Sequence, residues 1–283
     1  MKLWKKWFKI NIKIVANNVK YIKRKLTVLF FCDIISMVIL MSQTNNEISY
    51  KLYKTVREIL HPTISKKNIS NYNIVIDEKL LAVKVFYPKR VTNMKKIVLF
   101  VQGNVTPSDK YYDNISQLSK KTEQLIILLN IDKKTSFKIK YMTLKYIYKE
   151  LIKEQIDEQN ITFMGDDIGA SNILNILCNK NYKGLNIYRS ILFYPVMKSK
   201  NDTLKSKNFF KITEGFKLQN RSILIIYGNN DEYYEIEKKI SKENVKITRI
   251  SFATNNFLDG SDKETLEDCY KIINNYLKDK NYV

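Results

Sequence analysis

The sequence predicts an α/β domain with a mainly parallel central sheet of about eight strands, flanked by helices and preceded by a basic helical extension. Two observations carry this reading. From residue 72 onward, short apolar runs of strand length alternate with amphipathic segments of helical period, the pattern of a parallel sheet with crossover helices. Within that alternation the stretch NITFMGDDIGASNILNIL, residues 160–177, reads as a strand, a tight turn with a glycine on either side, and a helix. A length of 283 residues and 45% hydrophobic content suffice for a sizeable core. The organisation read from the sequence is an extension over residues 1–70 and one α/β domain over 71–283.

The elements follow in order. Residues 1–26 carry nine Lys/Arg and no acid, with apolar residues at 4, 8, 12, 15, 19, 22 and 26. That is helical spacing, and Trp4, Trp7 and Phe8 beside so many cations suit a helix lying in a membrane interface. LTVLFFCDIISMVILM, residues 26–41, is apolar but would reach only about 24 Å as a helix, short of a hydrocarbon core of about 30 Å. Asp33 opposes insertion further, so this run reads equally as a signal-anchor or as a cap helix. NEISYKLYKTVREILHPT is a further helix ended by Pro62, with His61 at its end.

NYNIVID and LLAVKVFYP form an antiparallel opening pair. KKIVLFVQGN is a buried strand ending in a glycine turn, and SQLSKKTEQ is a helix tail before the strand LIILLNI. YMTLKYIYKELIKEQ is an amphipathic helix that leads to the strand NITFM. SILFYPV, SILIIYG and VKITRISFA are later strands, and KETLEDCYKIINNYLKD closes the chain as an amphipathic helix.

Composition narrows the function. A formal charge of +21 invites a nucleic-acid reading, but lysines are spread along most of the chain. No zinc spacing, RNP-like motif or basic-aromatic repeat places a groove, so a solvated lysine-rich surface is favoured over a nucleic-acid site. Cys32, Cys178 and Cys269 are too few and too scattered for a disulfide framework or a metal cluster. No metal and no cofactor are expected. Six N-x-S/T sequons, at Asn68, Asn104, Asn114, Asn160, Asn201 and Asn220, carry little weight in a chain this rich in asparagine.

The strand–turn–helix at 160–177, with glycine at 165 and 169, resembles the nucleophile elbow of the α/β-hydrolase fold. The order of elements over roughly residues 72–280 is similar to that of the hormone-sensitive-lipase-like esterases and acetyl-ester deacetylases within that fold. The resemblance implies that residues 1–70 correspond to an N-terminal cap or membrane anchor. It implies an oxyanion loop at Gln102-Gly103-Asn104, where the family carries an H-G-G-G-type motif, with the N–H of Ile168 as the further donor. It implies an elbow at Gly165-Asp166-Asp167-Ile168-Gly169, where the family often reads G-D-S-A-G, so that Asp167 takes the nucleophile position. It implies Asp231, in YGNNDE, as the acid that orients the base, and Asn255, in FATNNF, at the base position, with Asn256 the next alignment.

Those departures shape the expected activity. A carboxylate at the elbow can attack an alkyl carbon, but the resulting ester needs an imidazole-activated water to release it. Asparagine cannot accept and return a proton near neutral pH. His61, the one histidine, is the sole candidate for a displaced base. Ser171 lies a turn into the following helix and reads as structural. The leading expectation is a membrane-associated, hydrolase-like pseudoenzyme that binds a lipid, an ester-like small molecule or a protein partner. Its pocket, floored by Asp167 and Asp231, would favour a cationic or hydroxyl-bearing ligand. The alternative is an active carboxylic-ester hydrolase or deacetylase with a non-standard catalytic set. Association through residues 1–41 gives a peripheral or N-terminally anchored protein, cytoplasmic if 26–41 is a cap helix.

Overall fold

The computed structural model describes residues 51–62, 68–76, 79–89, 95–103, 107–130, 137–178, 184–195, 222–228, 245–250 and 257–278. The chain divides into two compact units, Met1–Lys51 and Leu52–Val283. The first lies almost wholly outside the described residues, as do the expected interfacial helix and the apolar run 26–41. Among the described residues, no helix is long and apolar enough to cross a membrane. The second unit begins earlier than the boundary at 70/71 suggested by the sequence. The reason is packing: Leu52, Val56, Ile59 and Leu60, on one face of helix α1 (residues 51–60), are buried in the same core as the sheet.

Among the described residues the sheet has eight strands: β1 (Ile69–Ile76), β2 (Lys79–Phe86), β3 (Ile97–Val101), β4 (Leu125–Asn130), β5 (Ile161–Asp166), β6 (Arg189–Phe193), β7 (Ser222–Gly228) and β8 (Val245–Ile250). Their spatial order is β1-β2-β4-β3-β5-β6-β7-β8. β1 and β2 pair antiparallel, as the sequence suggests, and β2 is antiparallel to β4; the remaining pairs are parallel. Strands buried on both faces need apolar residues at every position, not at alternate ones. β3, IVLFV, meets that condition with every residue buried.

Alternation instead decides which layer each side chain joins. Ile97, Leu99 and Val101 of β3 enter one core, and Val98 and Phe100 the other. The first core is covered by α1, α3 (Phe137–Lys153) and α4 (Asp167–Cys178). The second is covered by α2 (Asp109–Thr122) and α6 (Lys263–Lys278), with the short α5 (Phe257–Gly260) before it. Ser108 caps α2 by accepting the N–H of Tyr111, and Glu123 ends it in the left-handed region at φ 55°.

Candidate functional site

β5 ends at Asp166 and α4 begins at Asp167 with no residue between them. The reversal is concentrated at Asp167, whose φ is 49°. A non-glycine residue held there is strained by about 1–3 kcal/mol and persists only where its surroundings fix it. Three glycines let those surroundings close in. A Cβ on Gly169 would overlap the carbonyl oxygen of Val101 at the end of β3. One on Gly103 would lie 2.8 Å from the Cβ of Asp167, and one on Gly165 would lie 2.6 Å from the nitrogen of Ala170. The loop after β3 and the first turn of α4 are thus in backbone contact, and residue 167 stands half-buried at the C-terminal edge of the parallel strands.

Asp166 is the electrostatic centre of this junction. Its Oδ1 accepts the N–H of Gly103 at 2.5 Å and its Oδ2 accepts the hydroxyl of Tyr111 at 2.9 Å. Burial pushes its carboxyl up from 3.8 to about 7; the bonds from Tyr111 and Gly103 oppose that rise, and the neighbouring Asp167 adds to it. The Tyr111 phenol, buried and beside Asp166, is held well above its ordinary value and stays neutral. This network leaves no mark in the sequence. A tyrosine three residues after a helix cap and an aspartate beside the elbow give no hint of contact until the fold superposes them.

The raised carboxyl has a consequence for stability. Between pH 4 and 7 the native state holds a proton on Asp166 that the unfolded chain has lost, so stability from this group is full below about pH 4 and disappears as pH rises through about 7. Asp166→Asn removes that slope. Urea midpoints are expected to move in the variant's favour between pH 4 and pH 7, and to change no further relative to wild type above about pH 8.

Helix α2 ties the elbow to a second segment. Besides Tyr111, it sends the Asn114 side-chain amide to the carbonyl of Leu258 at 2.5 Å and Lys110 to the carbonyl of Ser261 at 3.1 Å. Ser108 donates to Asp259, and Tyr270 of α6 donates back to the carbonyl of Asn114 at 3.0 Å. Asn114, one of the six sequons, is therefore a buried structural residue in the fold.

The remaining site residues fall as follows. Gln102 is buried, and its N–H donates to the carbonyl of Leu129 at 3.2 Å, extending the pairing of β3 with β4. Ile168 lies in the first turn of α4. Ser171 donates to the carbonyl of Asp167 at 3.1 Å, a helix back-bond that fits its structural reading. Asn104, Asp231 and Asn255 lie outside the described residues, as does Asn256. Asp231 comes three positions after Gly228, the last residue of β7, and Asn255 five after Ile250, the last of β8.

His61 is not brought to the elbow. Its Nε2 lies 3.5 Å from a carboxylate oxygen of Glu154, and it is 68% exposed. Glu154 follows the C-terminal end of α3, on the approach to the first residue of β5, whereas Asp167 follows the last. The carbonyl of Ile59 confirms that edge, because it accepts the hydroxyl of Tyr87, which follows the end of β2 that pairs with the start of β4. The length of β5, about 20 Å, separates the two ends of the sheet. The expectation of a displaced base at His61 is corrected on that ground.

No protein-family model matches the sequence, and no curated protein matches it. Solved structures do resemble it. The Francisella virulence factor BioJ is 15% identical with a TM-score of 0.55, over 82% of this chain and 94% of that one. An arylesterase is 14% identical with a TM-score of 0.58, over 80% and 90%. A thermophilic, thermostable carboxylesterase from a metagenomic library is 14% identical with a TM-score of 0.54, over 84% and 98%. Together with the strand order and the elbow, these likenesses show that the chain has the α/β-hydrolase fold of the esterases.

Proposed function

We propose that this protein keeps the esterase scaffold without running the esterase reaction, and that it serves as a ligand-binding protein at a membrane surface. The observation that carries the reading is the placement of its single imidazole at the sheet end opposite Asp167. An ester formed on Asp167 would have no histidine to activate the releasing water, a contribution of about 10²–10⁴-fold. Burial raises the Asp166 carboxyl to about 7, but both its oxygens are engaged. The same bond commits the N–H of Gly103, a donor of the oxyanion loop, to a carboxylate. The ligand expected against Asp167 is a cationic or hydroxyl-bearing lipid or ester-like molecule, since a carboxylate would meet a second acid there. Residues 1–41, basic, aromatic and apolar, supply the membrane association.

The direct test is the purified chain against short- and medium-chain acyl esters. No turnover above the uncatalysed rate is expected. Turnover that vanishes in Asp167→Ala would overturn the reading and establish an aspartate-based hydrolase in its place.

A further inference from the structure

The two helical layers of the sheet differ in charge. In α2 and α6, six lysines meet five acids, and some of them pair directly, as Lys121 does with Glu267 at 2.6 Å and Lys271 with Asp268 at 3.1 Å. In residues 52–60 and α3, on the other side, seven Lys/Arg, of which Lys140 is buried, meet two acids. One of those acids, Glu150, is buried and bonded to Lys153. A lysine-rich composition alone would load both layers alike. Lys54, Arg57, Lys138 and Lys149 are exposed. Lys138, Lys145 and Lys149 fall at i, i+7 and i+11, one stripe along α3. Beside it is Tyr146, 38% exposed and the large hydrophobic residue that stands out from the surface among the described residues. The charge of α4, on the same layer, is confined to Asp167 at its first position.

We infer that this α1/α3 layer is a docking surface for an anionic lipid bilayer. Long lysines around an exposed tyrosine suit the headgroup region, where the cations meet anionic lipid and the ring enters the boundary with the acyl chains. Helix faces lying flat on one side of a sheet present a plane, which fits a bilayer better than a nucleic-acid backbone that must be wrapped. The inference rests on the membrane-surface reading above and adds a second contact to the one assigned there to residues 1–41.

The test uses the full chain with neutral phosphatidylcholine vesicles, with vesicles containing anionic phosphatidylserine, and with duplex DNA, at one fixed ionic strength. Wild type should prefer the anionic vesicles. Lys138→Gln with Lys149→Gln should weaken that binding about 25-fold, about 5-fold per cation. Tyr146→Ser should weaken binding to the same vesicles while leaving any DNA binding unchanged. Anionic-vesicle binding unaffected by all three substitutions would overturn this docking surface while leaving attachment through residues 1–41 standing. Absence of anionic-vesicle binding in wild type would overturn both. DNA binding lost in the double lysine variant, without vesicle binding, would reassign the surface to nucleic acid. Unchanged urea midpoints, expected for exposed lysines, separate loss of binding from loss of fold.

Discussion

Asp167→Ser combined with Asn255→His should hydrolyse short acyl esters about 10²–10⁴-fold faster than Asp167→Ser alone, the range a positioned general base contributes. Serine at 167 would inherit the φ of 49° that holds the present residue at the sharp strand–helix turn. Histidine at 255, the proposed base position, would supply a second imidazole to a chain whose one histidine is His61, and Asp231 is the residue proposed to orient it. Asp167→Ser by itself should stay near the uncatalysed rate, because a serine hydroxyl without a base is a poor nucleophile near neutral pH. Wild type should stay silent as well. A silent double variant that folds normally would remove Asn255 from the base position, and Asn256→His in the same background is then the next comparison. Activity in Asp167→Ser equal to that of the pair would mean that a base other than residue 255 already reaches the elbow.

Gly169→Ala is expected to give the largest loss of stability from a single methyl group. The new Cβ would overlap the Val101 carbonyl oxygen, a backbone atom at the end of a strand paired on both sides, so neither partner can swing away. Overpacking of that kind costs about 3 kcal/mol, the upper part of the usual range. The urea midpoint should fall accordingly. Ala170→Gly, one residue on in the same helix, should cost no more than about 1 kcal/mol in backbone propensity plus its small buried methyl group. Equal losses at the two positions would mean that the close approach of β3 to α4 is not what requires glycine at 169.

Much of the fold was legible because local pattern and tertiary role coincide. β3 throughout and β7 from Ile223 to Ile226 are apolar since both their faces are covered, and the run lengths alone mark them as strands. The elbow was legible because its steric demand selects residue types: Gly165 and Gly169 stand where a side chain cannot. The start of the compact unit was less so. The periodicity of residues 51–60 shows that the helix has an apolar face, but not whether Leu52 and Val56 meet the sheet or another extension helix. The place of His61 is hidden in the sequence for a related reason. A lone histidine can be assigned to either end of a sheet until the packing of α1 beside the end of α3 is known. Asp166 matches the aspartate of the family's G-D-S-A-G pattern, yet its bonds to Gly103 and Tyr111 join residues 63 and 55 positions apart. Such pairings leave no periodic trace in the sequence.

Helix α2 holds Asp166 through Tyr111 and holds residues 258–261 through Asn114 and Lys110. The elbow and the segment 258–261 are therefore anchored by one rigid piece. The contacts that hold this frame run from Tyr111, Asn114 and Lys110 to Asp166, Leu258 and Ser261, and none of them uses the side chain at 167. A frame held this way persists while sequence drifts, as the fold shared with solved structures at 14–15% identity shows.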